Sequence, residues 1–410
     1  MTWASMRWQD VCILKYGKAL KDYKHFNQAY PVYGSGGVVG STDTPIAPGE
    51  RVIVSRKGTL TAYWSSAPSH VIDTAFWLEP NPVLDAKWSY YAIKNLDIST
   101  LSSGSGVPSL SRDDFYREEL LLPPLKQQKA IAHILGTLDD KIELNQKMNQ
   151  TLEEIAKAIF KSWFVDFDPV RAKKEGRPTG LPPEISDLFP DELVDSEIGE
   201  IPKGWSESTF GELADIQNGY AFKSKDWNEE GTIPVVKIGN VKPMLVDVES
   251  CSRVDSQTVA GLERFRLSSG DALIGMTGYV GEVGLVPKVN ELPYLNQRVG
   301  RLIAQAPSDY SFMVVMTRRK EFKLEVENLG TGSAQANVSA SSIKSIKVVA
   351  PSSDLKEKFG EVINPIIDRI LTAAAEIEVL SELRDTLLPK LISGELRIPD
   401  AKKFLEEAGI

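Results

Sequence analysis

Residues 122–160 read LPPLKQQKAIAHILGTLDDKIELNQKMNQTLEEIAKAIF. Two prolines open the stretch, and beyond them it holds one glycine, Gly136, and no proline. Proline is tolerated in the first turn of a helix and costly further in, so the pattern predicts one long helix. Ile131, Leu138, Asn145, Leu152 and Ile159 recur every seven residues, and Leu135, Ile142, Asn149, Ala156 and Trp163 form a second seam four residues later. A heptad pattern held this long predicts a coiled-coil partner. At ~1.5 Å per residue the helix is about 50–60 Å long.

The partner is in the same chain, because the chain is written twice. SGSGVPSLSRDDFYREELLLPPL at 103–125 resembles TGSAQANVSASSIKSIKVVAPSS at 331–353. Gly104 meets Gly332, Ser111 meets Ser339 and Pro123 meets Pro351, each at an offset of 228 residues. The register runs on without a gap. Ile131, Ile134, Leu135, Leu138 and Ile142 meet Phe359, Val362, Ile363, Ile366 and Ile370. Leu152, Ile155, Ile159, Phe160, Trp163 and Phe164 meet Leu380, Leu383, Leu387, Leu388, Leu391 and Ile392. Upstream, Pro31 meets Pro234 at 203 and Gly49 meets Gly270 at 221, so the second copy has longer loops.

Six segments follow: a globular block at 1–122, a long helix at 123–166, an acidic proline-rich linker at 167–204, a second block at 205–350, a second long helix at 351–394, and a tail at 395–410. Pro365 is expected to bend the second helix near its start, and Asp168-Pro169 to end the first. The linker, with little periodicity, reads as an extended connector. Both blocks read as mixed α/β. Short β-rich runs such as ERVIVS, HVIDTAFWL, TIPVVKI and DALIGMTG alternate with Gly, Ser and Pro turns. Each long helix can bury the other's apolar stripe, which predicts an antiparallel pair with a pseudo-two-fold internal repeat. Interface positions are Ile131, Leu135, Leu138, Ile142, Asn145, Leu152 and Ile159 against Phe359, Ile363, Ile366, Ile370, Leu380, Leu387 and Leu391. Asn145 and Asn149 would be polar layers that fix register. The plainer alternative makes each helix an ordinary core element of its own block.

Hydrophobic residues at 42% and charged residues at 25% are ordinary for a globular protein. No apolar run approaches the roughly 18 residues of a membrane span, and MTWASMRWQD lacks the basic and apolar regions of a signal peptide. Cys12 and Cys251 form neither a disulfide framework nor a zinc spacing, so a reducing cytoplasm is expected, with no membrane. The net charge of −9 is uneven: residues 181–204 carry 1 base and 7 acids, and residues 351–410 carry 8 and 12. The rest is close to neutral, so each block can hold a basic face.

No catalytic constellation stands out. His25, His70 and His133 belong to no metal or triad spacing, and no cofactor is expected in this chain. YGSGGVVGS at 33–41 is glycine-rich but lacks dinucleotide or P-loop spacing, so it reads as a turn between strands. Polar, basic and aromatic residues fall on expected loops: Lys24, Arg56, Lys57, Tyr63 and Trp64 in the first block, and Lys223, Lys237, Asn240, Tyr279, Gln297 and Arg298 in the second. Such side chains can bond phosphates and base edges or pack on sugars, though singly each also suits a solvated surface. TRRKEFK at 317–323 reads as a helix face with at most a phosphate role.

LPPLKQQKAIAHIL after GSGVPSLS, the helix end AIFKSWFVDFDPVRAKKEG, and GLPPEISDLFPDELVDSEIGEIPKGW resemble the DNA-specificity subunit of type I restriction-modification systems. The resemblance spans nearly the whole chain and is most specific in the helix and linker. It implies two target-recognition domains, each reading half of a split site on double-stranded DNA, and a helical pair that sets the spacer. It also implies docking of two modification subunits that use S-adenosylmethionine, and restriction/motor subunits that use ATP and Mg. This chain would then be non-catalytic. Relative to the family pattern the N-terminus is short, and any segment completing the helical bundle is expected to be missing. Two rival readings remain: a duplicated coiled-coil scaffold for protein or carbohydrate, and a nucleotide enzyme using the glycine-rich stretch.

Overall fold

The structure, a computed structural model, describes residues 3–102, 106–197, 199–330 and 337–407. The Gly104–Gly332 match lies outside them. Two compact units divide the chain: Met1–Glu143 with Val379–Ile410, and Leu144–Glu378. Both long helices are therefore shared between units.

In the first unit β1 (Ala4–Arg7) leads into α1 (Trp8–Val11) and β2 (Cys12–Tyr16). There follow β3 (Tyr30–Gly34), β4 (Gly37–Thr42), β5 (Arg51–Ser55), β6 (Ala62–Ser65), β7 (His70–Val71) and β8 (Ala75–Pro80). α2 (Ala86–Asn95), α3 (Arg112–Arg117) and β9 (Glu119–Leu122) complete the block, and α4 (Leu125–Phe164) is the predicted long helix. The sheets run β2-β8-β5-β6 and β4-β3-β7, and β1 pairs with β9 so that Ala4 faces Leu122 and closes the block.

The next segment is not the extended connector expected. It folds as α5 (Asp168–Lys174), α6 (Pro183–Ser186) and a hairpin of β10 (Leu193–Ser196) with β11 (Gly199–Pro202). Phe167, Val170 and Phe189 are buried in the core of the second unit, and Lys173 Nζ donates to the Phe189 carbonyl at 2.6 Å. Isolated aromatics among prolines carry no periodic signal, but each buried large side chain contributes about 1.5–3 kcal/mol, enough to hold such a segment down.

β12 (Ser206–Thr209), α7 (Phe210–Leu213) and β13 (Ala214–Asn218) begin the second block. β14 (Ile233–Val236), β15 (Met244–Leu245), β16 (Ser252–Val254), β17 (Ala272–Gly275), β18 (Val283–Leu285), β19 (Tyr294–Leu295) and β20 (Val299–Ala304) follow. Then come α8 (Asp309–Thr317), α9 (Lys320–Leu329), α10 (Ala340–Lys344), β21 (Lys347–Ala350), the second long helix α11 (Ser353–Ser393) and α12 (Ile398–Glu407). The sheets run β13-β20-β17-β18-β15 and β16-β14-β19, with β12 pairing β21. Strand for strand this is the topology of the first block, with β15 and α9 added. α11 runs on through Pro365, which is exposed, and α12 occupies the expected tail.

The two helices are antiparallel within each unit. In the second unit Asn145 donates to Glu376 at 3.0 Å, Asn149 donates to the Ile370 carbonyl at 3.3 Å, and Phe160 packs on Phe359 at 5.9 Å, so numbers rise on α4 as they fall on α11. In the first unit Arg384 donates to Asp139 at 3.0 Å, and Trp3 donates to Gln127 while its ring lies against Gly394. Gly394 ends α11 with φ +78°, and a β-carbon there would meet the Trp3 ring.

Ile131, Leu135, Leu138, Ile142, Asn145, Phe359, Ile363, Ile370, Leu380, Leu387 and Leu391 are buried, whereas Leu152, Ile159 and Ile366 are half-buried. Near those three, burial shifts to Ala156, Phe160 and Ile367. There α4 also packs on α8, with Phe160 and Phe164 on Phe312 at 5.0 and 4.9 Å. A helix with two neighbours buries a wider stripe than a two-helix seam.

Candidate nucleic-acid interface

In each unit, loops from four strands meet at one rim, held by matching hydrogen bonds. In the first unit Ile72 N–H donates to Tyr33 O, Arg56 N–H to Thr74 O and Leu110 N–H to Arg56 O. In the second, Asn296 N–H donates to Val236 O, Met276 N–H to Arg298 O and Val338 N–H to Met276 O. The Lys57–Ser109 bridge is repeated as Thr277–Asn337. A β-carbon on Gly17 would lie 2.0 Å from Ile72 O, and one on Gly219 would lie 2.3 Å from Asn296 O, so both rims need glycine at the same close approach. By these bonds Tyr33 corresponds to Val236, Arg56 to Met276 and Thr74 to Arg298, and Ser111 corresponds to Ser339.

The rims share a frame and differ in side chains. In the first unit Arg56 stands where β5 turns toward β6, with exposed Lys57 beside it. The Arg56 guanidinium lies 5.2 Å from the Tyr16 ring and 5.8 Å from Phe76, and donates to the Asp73 carbonyl at 3.1 Å. Arg112 lies 5.1 Å from the same Tyr16 ring and 5.8 Å from Tyr116, whose hydroxyl accepts from Leu14 N–H at 2.8 Å. Tyr16 and Arg112 were not among the sequence candidates. They lie nearly a hundred residues apart, and only the sheet brings them together.

The remaining first-block candidates scatter. Lys24 is exposed on the loop before β3. Tyr63 and Trp64 are on strand β6, not on a loop. The Tyr63 hydroxyl donates to Ser35 O at 3.1 Å, and its ring covers Gly37 in the β3–β4 hairpin. The glycine-rich stretch is thus a tight strand turn, with Gly37 at φ +90°. Trp64 faces α2, with Lys87 Nζ 4.6 Å above its ring, and burial holds the Lys87 ammonium below its usual pKa.

In the second block Lys237, Tyr279, Gln297 and Arg298 share the rim, while Lys223 is exposed on the neighbouring loop. Gln297 and Arg298 are both exposed, and Tyr279 is 70% exposed at the β17–β18 turn. Lys237 lies 3.6 Å over Trp227 and donates to Ser252 at 2.8 Å, and desolvation lowers its pKa. Asn240 is buried and spent on the turn: it accepts from Lys237 N–H at 2.9 Å and donates to Ser250 at 3.0 Å.

In the basic run at 317–323 three of the four cations are paired with acids, and Lys320 is exposed at the start of α9. Arg318 is buried against Glu153 at 2.8 Å, Arg319 pairs with Glu321, and Lys323 pairs with Glu282. His70 is buried, with ring nitrogens 2.9 and 3.0 Å from the Thr44 and Lys18 carbonyl oxygens. Burial pushes both cysteine thiols up to about 12. Among the described residues no group of three His, Cys, Asp or Glu could hold a metal, and no helix is long and apolar enough to cross a membrane.

The family described as Type I restriction modification DNA specificity domain matches residues 1–154 and 202–381, one match for each copy. The Type I restriction enzyme HindI specificity subunit of Haemophilus influenzae is 28% identical over 330 residues, covering 70% of this chain and 71% of that protein. The MjaIX specificity subunit of Methanocaldococcus jannaschii is 26% identical, covering 78% and 71%. The crystal structure of a type I restriction-modification S subunit from M. genitalium shares the fold, with a TM-score of 0.61 at 19% identity over 95% of this chain and 96% of that one.

Proposed function

The chain belongs to the type I restriction-modification DNA specificity family, and from that premise we propose that its two rims read the two halves of a bipartite, asymmetric site on double-stranded DNA. It is a sequence-recognition subunit that works with other restriction-modification subunits on DNA. One observation carries the asymmetry. The rims are built on matching hydrogen bonds yet present Tyr16, Arg56 and Arg112 in one copy and Asn218, Met276 and Ala340 at the same places in the other. A shared frame suits one duplex geometry, and different side chains suit different base edges. In this reading the first rim uses Arg56 and Lys57, and the second uses Lys223, Lys237, Tyr279, Gln297 and Arg298.

The long helices carried by the units set the number of unread base pairs and dock two modification subunits. Those subunits supply S-adenosylmethionine and methylate adenine. Restriction/motor subunits supply ATP- and Mg-dependent steps, and the assembly works in the cytoplasm. This chain contributes the address and no chemistry of its own. Its net charge of −9 supports weak, salt-sensitive DNA binding by the isolated chain, with much of the phosphate contact made by partners. Family membership weighs against a protein- or carbohydrate-binding scaffold.

The test is a methylation map. The chain is co-expressed with its modification subunit in a host lacking adenine methylation, and the DNA is sequenced with modified-base detection. Methyladenine confined to one split, non-palindromic motif, and lost without this chain, is the expected result. A continuous or palindromic motif contradicts the proposal.

A further inference from the structure

The Tyr16 cluster brings two arginines onto one ring, unlike the eight arginines that are tied down by an acid. Arg117, Arg171, Arg177, Arg301, Arg318, Arg319, Arg369 and Arg384 each hold a carboxylate. Arg56 and Arg112 hold none among the described residues, although Asp73 and Asp113 are near at hand. Instead both guanidiniums pack within 5.2 Å of one tyrosine ring that is itself 48% exposed. Among the described residues the Arg112 guanidinium has no hydrogen-bond partner, and its Nε is buried. Arg56 spends one N–H on the Asp73 carbonyl and keeps the rest. Stacking on a ring fixes a guanidinium in one plane at little further entropic cost, and its unused N–H fork then matches a pair of acceptors lying in that plane.

We propose that Arg56 and Arg112, braced on Tyr16, form a two-pronged hydrogen-bond donor site for DNA that serves the first half-site alone. The inference rests on the proposed function and deepens it. The ligand is a paired set of acceptors, presented either by a guanine edge through O6 and N7 or by a backbone phosphate. The second unit has no counterpart, since Asn218, Met276, Gly300 and Ala340 stand where Tyr16, Arg56, Phe76 and Arg112 stand. A donor site confined to one copy lets two similar domains read unlike sequences.

The experiment uses the complex of this chain with its modification subunits, comparing the parent with Arg112→Met, Arg56→Met and Tyr16→Leu. Arg117→Gln, on the same short helix but paired with Asp114, controls for loss of charge. Thermal melting checks folding, and Arg112→Met carries the test if Arg56→Met is destabilised by losing the Asp73 bond. Affinity for a duplex bearing the mapped motif falls about 10- to 100-fold in the arginine variants and less in Tyr16→Leu. If the acceptors are a guanine edge, base preference relaxes at one position of the first half-site and the second half-site is unchanged. If they are a phosphate, affinity falls equally for all sequences and the salt slope drops by about one. Arginine variants that bind as tightly as Arg117→Gln, or that relax the second half-site, overturn the inference. A parent complex without sequence-specific binding instead overturns the proposed function beneath it.

Discussion

Gln128 and Lys356 occupy the same place in the two copies, four residues after Pro124 and Ser352, and they solve one packing problem in two ways. Gln128 is fully buried; it accepts from Asp85 N–H at 2.7 Å and donates to the carbonyls of Val83 and Pro123 at 2.9 and 2.8 Å. Lys356 is buried too, but it forms an ion pair with the buried carboxylate of Asp309, the counterpart of Asp85. The frame demands a polar tie between long helix and block and leaves its chemistry free. The same freedom appears at the rims, where conserved backbone bonds carry unrelated side chains, and on the helices. Asp139 and Arg384 pair in the first unit where the second buries Ile367 and Ala156.

The largest effect is expected at the ion pair. Lys356→Met strands a buried carboxylate and costs about 3–5 kcal/mol in denaturant unfolding of the chain. Gln128→Ala costs about 1–3 kcal/mol, because the groups left behind are neutral. Equal losses would mean that charge is not what separates the two solutions. Next comes the helix pair. In a double-mutant cycle Asp139→Leu and Arg384→Leu couple by about 1 kcal/mol, since both groups are partly exposed and Tyr91 also donates to Asp139 at 2.6 Å. A coupling near zero would reduce the pair to two independent surface charges. The smallest effect is at Trp227, where Trp227→Leu removes the Lys237 stacking and costs about 0.5–1 kcal/mol.

The repeat was legible because it rests on local requirements. Ser111 and Ser339 cap the helices after the rim by accepting from Asp114 and Ser342 N–H, and apolar spacing carried the register into the long helices. Within β5 and β17 the offset is 220, not the 221 set by Gly49 and Gly270, because Val54 faces Phe76 as Ile274 faces Gly300. A one-residue loop difference is invisible in strands whose residues are nearly all apolar. The acidic segment hid its fold because Phe167, Val170 and Phe189 find partners only in a core built from distant residues. The rim was half legible. Arg56, Gln297 and Arg298 lie on turns that composition marks. Asn240 lost its amide to a turn, Trp64 lies under α2, and Tyr16 with Arg112 meets only through the sheet.

The central claim is that the two copies read separately. It is tested most directly by exchanging residues 1–122, closed by the β1–β9 pair, for the matching block of the Haemophilus influenzae HindI subunit, and mapping methyladenine with the modification subunit present. The account predicts a motif in which one half changes while the other half and the spacer length stay as in the parent. A motif in which both halves change, or neither, would contradict it.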